Sequence, residues 1–404
     1  MQRRTLLKVC ALAPTVIFAP SWVRAACAGN ASTLAQPTAT TAGTSRILVL
    51  VELHGGNDGL NTLIPFDDSR YYTLRPRLAI PREQVRRLTP TLGFHPALDP
   101  LMPFWEKELG VVAGVGYPQP NRSHFRSIEI WDTGSGSTEY RDDGWLAQLF
   151  REHPHPASFV ADAVLLGKGG SGPLAGQGAS TISLRDPDEF LHEASLVRHT
   201  STRTRNPALQ HILSVQQEIG HAAGDLQQRL EASPSLGMTF PDSKLGKQLE
   251  TAARLLAART PVAVIKVMHA GFDTHAGQLQ AHHRLLEELA QALISFRNAM
   301  VAHRLWDEIL VATYSEFGRR PAENGSAGTD HGTAAPHLLF GGRVKGGLYG
   351  TQPSLAVLQD GDLRHTVDYR SLYSTMIANW WELKSDLFDR RLYPPLDCIR
   401  ARNT

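Results

Sequence analysis

Five short polar segments carry acids, imidazoles, an alcohol and arginines, and four of them directly follow apolar runs of strand length. They are HGGNDGLN (54–61), YPQPNRSHFRS (117–127), AGFDTHAGQ (270–278), EFGRR (316–320) and ENGSAGTDHGT (323–333). Carboxylates and neutral imidazoles bind zinc, manganese or iron, and arginines hold anionic groups through paired hydrogen bonds. A hydroxyl beside a metal ion can act as a nucleophile. These residue types therefore fit metal-assisted chemistry on an anionic group.

Each segment also has a purely structural explanation. The pair Asp330–His331 could form a tight polar turn between glycines, and Asp273 or Ser123 could cap a helix. The segment GKGGSG (167–172) is glycine-rich but lacks the Gly-Lys-Ser/Thr end of a nucleotide-binding loop. Unrelated turns would have no reason to lie together. If all five segments meet at one edge of the sheet, a functional site there is favoured over five separate turns.

The elements that would position these segments alternate between strands and helices. Apolar runs predict strands at 46–53, 109–116, 158–167, 262–269, 308–315 and 337–342, and three- and four-residue spacing predicts helices at 95–108, 143–153, 209–232, 244–258 and 278–300. This alternation predicts an α/β fold with a mostly parallel sheet, in which ligands gather beyond the carboxyl ends of the strands. His282 and His283, on the last helix, are predicted to be surface residues and not ligands.

The amino terminus predicts export. Arg3 and Arg4 precede a short apolar stretch and small residues, as in a twin-arginine signal, so the export machinery is a predicted partner. We assign residues 1–26 to the signal, 27–45 to a flexible leader and 46–400 to one domain, with a helical insertion or cap around 165–260. Lipid attachment at Cys27 is disfavoured because Arg24 stands at a normally apolar position. The spacing of Cys27 and Cys398 does not show whether they pair.

Composition narrows the function classes further. The chain has 404 residues and a formal net charge of +2, so no nucleic-acid surface is expected. No apolar run reaches the roughly 18–20 residues that span a membrane, so no transmembrane segment is expected in the mature form. The absence of a thiolate cluster excludes a cysteine-based zinc site.

Seven motifs together resemble a known family. ELHGGNDGLN, NRSHFRSIEIWDTG, DGWL, GFDTHAGQ, SEFGRRPAENGSAGTDHGT, GGRVKGGLYG and VDYRSLY, in this order behind a twin-arginine signal, resemble the secreted DUF1501 proteins over residues 46–390. That family is similar to the alkaline-phosphatase-like superfamily of phosphatases, sulfatases and cofactor-independent phosphoglycerate mutases. The resemblance implies a three-layer α/β/α sandwich with a mostly parallel central sheet.

The resemblance also implies site residues. A metal-binding acid is expected after the first strand, matched by Asp58 with Glu52 as its rival, and a nucleophile at a helix start, matched by Ser123. The other matched metal ligands are Asp273, His275, Glu316, Asp330 and His331. Where the superfamily has an Asp–His pair, this chain has Glu316–Phe317, which keeps the acid and loses the imidazole. A single metal ion and a rearranged pair using His54 or His124 both stay open.

The sequence thus predicts a periplasmic or secreted metal-dependent hydrolase of an anionic phosphate or sulfate ester, small or polymeric. Ser123 would attack, Arg122 or Arg126 would hold the anion, and the acids and imidazoles would bind zinc or manganese. The alternative is a periplasmic binding or assembly protein that kept the scaffold without turnover.

Overall fold

All six apolar runs that the sequence marks as strands lie in one sheet. The computed structural model describes residues 46–156, 158–184 and 224–401. The strands are β1 (Ile47–His54), β2 (Leu63–Ile64), β3 (Arg86–Arg87), β4 (Gly93–Phe94), β5 (Leu109–Gly116), β6 (Ala163–Leu166), β7 (Thr181–Leu184), β8 (Val264–Ala270), β9 (Ile309–Tyr314), β10 (Ala335–Phe340), β11 (Gly347–Tyr349) and β12 (Val367–Asp368).

Within the described residues, the main sheet has nine strands in the order β11-β5-β10-β9-β1-β8-β6-β7, with β12 also paired to β5. Strand β10 runs antiparallel to both of its neighbours, and the other pairings are parallel. At the centre, Val51 of β1 lies opposite Val267 of β8 and Thr313 of β9. Strands β2, β4 and β3 form a small separate antiparallel sheet. The predicted α/β class with a mostly parallel sheet is confirmed.

Helices cover both faces of the main sheet. The α-helices are α1 (Gly59–Thr62), α2 (Ser69–Leu74), α3 (His124–Thr133), α4 (Trp145–Glu152), α5 (Lys244–Ala257), α6 (Gln278–Ala302) and α7 (Tyr369–Thr375). Short 3-10 helices cover Pro96–Phe104, Gly172–Leu174 and Trp306–Glu308, a π turn covers Met376–Trp380, and residues 224–231 are helical.

The alternation of side chains along β1 explains the three layers. Val49 and Val51 point to the core that contains α5 and α6, whereas Leu48 and Leu50 point to the core that contains α3, α4 and α7. A strand with cover on both sides must be apolar on both faces, as this run is. The sequence of the central strand therefore predicts helices on both faces of the sheet.

Several predictions about organisation fall partly outside the described residues. Residues 1–45, with the signal, the leader and Cys27, are outside them, and so is 185–223 in the middle of the predicted insertion. The described parts of 165–260 include β7 at the sheet edge and α5 against one face. Cys398 is buried, and it has no disulfide partner among the described residues. No helix in the described ranges combines the length and apolar character needed to cross a membrane.

One expectation about α6 was wrong. His282 is not a surface residue: its side chain is 1% exposed, and its Nε2 lies 2.9 Å from Oδ1 of Asn57. Burial lowers the pKa of His282 to about 4, so its imidazole is neutral. His283, one residue on, is exposed as expected.

Candidate metal centre

The polar segments meet at one edge of the main sheet because the carboxyl ends of its parallel strands lie together. His54 ends β1, Asp273 follows β8, and Glu316 follows β9. Strand β10 runs the other way, so the loop before it, with His331, reaches the same edge. His124 begins α3 after β5. The strand order thus brings together residues that are up to 277 positions apart.

Three imidazoles surround one carboxylate oxygen. Donor atoms of His124, Asp273 and His331 all lie within 4.8 Å of one another. Oδ1 of Asp273 is 3.5 Å from Nε2 of His124, 3.1 Å from Nε2 of His331 and 3.0 Å from Nε2 of His275. The Nε2 atoms of His275 and His331 are 2.9 Å apart. We name these four residues the imidazole cluster.

The other ring nitrogen of each imidazole is held by an oxygen. Nδ1 of His124 lies 2.9 Å from Oε1 of Glu316, and Nδ1 of His331 lies 2.8 Å from the carbonyl oxygen of Arg122. A carbonyl oxygen can only accept, so Nδ1 of His331 carries the hydrogen and its Nε2 keeps a lone pair. This is the arrangement in which metal-binding histidines are usually oriented.

Asp330 plays the same part for His275. Its Oδ1 lies 3.4 Å from Nδ1 of His275, and it accepts a hydrogen bond from Asn324. The hydrogen bond from Asn324 is the main cause that lowers the pKa of Asp330. Glu316 and Asp330, both predicted as ligands, thus contact the imidazoles at the nitrogen that faces away from the cluster.

Arg319 fixes the central carboxylate. Burial by itself would raise the pKa of Asp273, but the hydrogen bond and the charge of Arg319, 2.6 Å away, lower it to about 2. The guanidinium also donates to the carbonyl oxygens of Gly55, Gly56, Phe272 and Thr329. Burial lowers the pKa of His331, which favours the neutral imidazole that a metal requires.

Two glycines in the loop before β10 are required by close packing. A Cβ on Gly328 would collide with the backbone of His275, and a Cβ on Gly332 would collide with the backbone of Arg319. Arg319 and His331 form an isolated antiparallel bridge. The glycines beside Asp330–His331 therefore let the loop pack against the two segments that complete the cluster.

The donor set fits a divalent metal ion. The donor atoms of His124, Asp273 and His331 lie within 4.8 Å of one another, and two imidazole nitrogens with a carboxylate oxygen are ligands of zinc and of other borderline metals. Nε2 of His275 lies beside this group. The ring of Phe317 packs against His124 and His331, with ring centroids 4.9 and 4.6 Å away. An apolar ring thus closes one side of the cluster.

Asp58 lies elsewhere, so the structure does not place it among the ligands. Its fully buried carboxylate is paired with Arg75, 2.6 Å away, and accepts from Gln278. Burial would raise the pKa of Asp58, but the charge of Arg75 lowers it. Arg75 also donates to the carbonyl oxygens of Arg320 and Pro321, at 2.9 and 2.8 Å. The role of Asp58 is to anchor the loop that carries Arg319.

We expect Arg75→Met to lower the free energy of unfolding by about 3–5 kcal/mol, because it leaves the Asp58 carboxylate buried without a partner. Arg70→Met is the matched control. Arg70 pairs with Asp68 at 2.9 Å, but both side chains are partly exposed, so the loss should stay below about 1 kcal/mol. Urea denaturation measures both changes. Equal losses would contradict a structural role for the buried pair.

The predicted nucleophile and anion-binding residues lie around the amino end of α3. Ser123 is exposed at the N-cap, and its hydroxyl makes no capping hydrogen bond. Arg122 pairs with the buried Asp362. Arg126 pairs with Glu129 at 2.9 Å, and its Nη2 donates to the backbone carbonyls of residues 136, 137 and 139. Its Nε and Nη1 are buried, so they are not accessible to an anion from solvent.

A second polar group lies directly behind the cluster. Buried Glu52, the rival to Asp58, is 2.6 Å from Nζ of Lys266 and 3.0 Å from Nδ1 of half-exposed His54. Burial would raise the pKa of Glu52, but the hydrogen bond from His54 and the charge of Lys266 lower it to about 2. Lys266 was not singled out from the sequence, whereas Arg319 was noted among the residues that follow β9 but was given no specific role. Lys266 could have been found, because it is the one charge inside the apolar run 262–268.

Comparisons with known proteins give one family and several distant structures. The family described as "Protein of unknown function (DUF1501)" matches residues 102–390. No match was found among curated proteins. A protein in the alkaline phosphatase superfamily from Vibrio parahaemolyticus is 12% identical, with a TM-score of 0.42, over 88% of this chain and 72% of its own.

Two further solved structures are similar to this chain at comparably low sequence identity. The lipoteichoic acid synthase LtaP from Listeria monocytogenes is 10% identical, with a TM-score of 0.38, over 85% of this chain and 74% of its own. Alkaline phosphatase from the Antarctic bacterium TAB5 is 10% identical, with a TM-score of 0.31, over 76% of this chain and 95% of its own.

Proposed function

The chain belongs to the DUF1501 family, and we propose that it is an exported metal-dependent hydrolase of a phosphate or sulfate ester. The observation that supports this most is the imidazole cluster, in which Nε2 atoms of His124, His275 and His331 surround Oδ1 of Asp273. Because Nδ1 of His331 donates to a carbonyl oxygen, its neutral imidazole presents a lone pair at Nε2 to the Asp273 carboxylate, an arrangement that a cation would stabilise. Zinc or manganese would suit this donor set.

A bound metal ion would supply Lewis acidity, which stabilises developing negative charge on oxygen. The residues of the chain would do the rest. Arg319 keeps Asp273 ionised and in place, and Glu316 holds the ring of His124 so that its Nε2 faces the cluster. These contacts fix the cluster before an ester arrives, which is how an active site avoids reorganisation during the reaction.

Ser123 is the proposed nucleophile. It precedes His124 at the start of α3, a ten-residue helix whose amino end attracts anions. Its exposed hydroxyl would form the bond to phosphorus or sulfur as the alcohol leaves, and water would then release the acid from the serine. Because the hydroxyl makes no capping hydrogen bond, it is free to react.

The experiment that tests this function combines elemental analysis with a substrate screen. We expect protein purified from the periplasm to carry stoichiometric zinc or manganese and to hydrolyse at least one of three nitrophenyl esters: a phosphate monoester, a phosphate diester and a sulfate. A chelator should remove both metal and turnover, and adding the metal back should restore them. Turnover that ignores the chelator would refute a metal-dependent hydrolase.

A second candidate function is a non-catalytic binding or assembly protein. The apolar ring of Phe317 beside His124 and His331 favours it, because the ring takes a place where a polar side chain could serve a second ion or a reacting group. Stoichiometric metal with no turnover of any of the three esters would support this candidate over the hydrolase.

A further inference from the structure

We propose that Arg320, with Arg122, forms an anion-binding subsite beside the imidazole cluster, and that it takes the tetrahedral oxyanion group of the substrate. The inference rests on the proposed function for the identity of the substrate. It replaces Arg126 as the anion holder, because the Arg126 guanidinium is bound to its own loop and to Glu129.

The backbones of both arginines touch the loop that carries His331. The carbonyl oxygen of Arg122 lies 2.8 Å from Nδ1 of His331, and the amide of Arg320 donates to the carbonyl oxygen of Asp330 at 3.0 Å. Both arginines therefore lie next to the loop that carries His331.

The side chains of the two arginines approach the same carboxylate. Arg122 pairs with Asp362, which is 1% exposed, and Nη1 of Arg320 lies 3.6 Å from where a Cβ on Gly361 would be. One carboxylate thus faces two guanidiniums. Asp362 forms its ion pair with Arg122 and no hydrogen bond with Arg320.

Arg320 has open donors and is only half-buried, whereas the donors of Arg122 and Arg126 that lack a hydrogen-bond partner are buried. Arg319 gives its N–H groups to Asp273 and to backbone carbonyls, and Arg75 gives its own to Asp58 and its surroundings. Nothing in the described ranges accepts a hydrogen bond from the guanidinium of Arg320, although its side chain is half-buried. A planar guanidinium with five N–H groups matches two oxygens of a phosphate or sulfate at once.

The simpler alternative is that Arg320 only balances the charges of Asp330 and Asp362. That role predicts that losing Arg320 changes stability and leaves anion affinity alone. The anion-binding role predicts the reverse, and the two outcomes can be measured without any turnover.

Calorimetric titration with inorganic phosphate and with inorganic sulfate tests the subsite. We expect Arg320→Gln to weaken binding of the preferred anion by about tenfold or more, since a charge-assisted pair of hydrogen bonds is lost. Arg320→Lys should keep part of the affinity because the positive charge remains. The rest should be lost, because an ammonium group cannot form the paired hydrogen bonds of a guanidinium. Asp362→Asn should strengthen binding, because it removes the competing carboxylate. Arg284→Gln, on the exposed surface of α6, is the matched control and should bind as the wild type does.

Wild-type affinity in Arg320→Gln would overturn the subsite, and so would the absence of wild-type binding to either anion at millimolar concentration. Metal content measured on each variant checks that the cluster is intact. Because the titration measures anion binding and not turnover, the subsite proposal and the hydrolase proposal can be refuted independently of each other. Esters hydrolysed equally by Arg320→Gln would refute only the subsite, whereas anion binding without turnover would refute only the hydrolase.

Discussion

Replacing His331 with alanine should weaken the binding of a divalent metal ion by about 100-fold or more. Changes to groups that merely orient a ligand cost about 10–100-fold, so loss of a ligand belongs at or above that range. His331 is central because its Nε2 lies 3.1 Å from Oδ1 of Asp273 and 2.9 Å from Nε2 of His275. Titration of the metal-free protein with zinc and with manganese measures the change.

The same ion should stabilise the folded protein. A ligand present at 100 times its Kd stabilises by about 2.7 kcal/mol, which corresponds to several degrees in Tm for a chain of this size. Wild type and His331→Ala should therefore melt together in chelator and separate when zinc or manganese is added. Identical responses to the metal would place the ion elsewhere or exclude it.

The control for His331→Ala must be His283→Ala and not a change at His282. His283 is exposed on α6, whereas His282 is buried and contacts Asn57. Truncating His282 would open a cavity and leave the Asn57 amide without its partner, so stability would fall for reasons unrelated to a metal. His283→Ala should keep the metal affinity and the metal-dependent rise in Tm.

The sequence could predict the fold because its strongest signal is local. Each of the six apolar runs predicted as strands contains a strand of the main sheet. The central run 46–53 is apolar on both faces, and helices pack against both of them. The edge at which the site lies follows from the same pattern, since parallel strands share a carboxyl end. Asp273, His275 and His331 were all predicted as ligands, and the structure brings them together.

The residues that sequence reasoning misplaced depend on distant partners. Asp58 follows the first strand, as a ligand would, but the Arg75 that captures it lies 17 positions on and is brought to it by the turn at α2. No periodic pattern in the sequence indicates that Asp58 and Arg75 form an ion pair. Nη2 of Arg126 likewise donates to a loop that follows α3. Charge and position identify candidates, but only packing shows which of them are already paired.

His282 is a different case, because its signal was present. The buried stripe of α6 continues from Met300 through Phe296, Leu293, Leu289 and Leu286, in steps of three and four, and the next step of four reaches His282. A polar residue on an apolar stripe needs an internal partner, and Asn57 provides it. The stripe itself would have placed this histidine inside the protein.

Removing the hydroxyl of Ser123 should have the largest effect on turnover. Ser123→Ala should reduce the hydrolysis of whichever nitrophenyl ester the wild type cleaves by about 10³-fold or more, since a nucleophile has no substitute in its own step. Stability should change little, because the hydroxyl is exposed and makes no capping hydrogen bond. Steady-state kinetics and thermal melting of the same preparations give both quantities.

A nucleophilic role is separable from a structural one through two comparisons. Ser69→Ala removes an exposed hydroxyl from the start of another helix, α2, so it should leave both turnover and Tm unchanged. Metal content and phosphate or sulfate binding in Ser123→Ala should equal those of the wild type, because neither the imidazole cluster nor Arg320 is altered. A protein that binds metal and anion but no longer cleaves the ester would assign the bond-forming step to Ser123. Full turnover in Ser123→Ala would instead leave the attack on the ester to a water molecule at the cluster, because the exposed edge beside His124 and Asp273 gives water the same access.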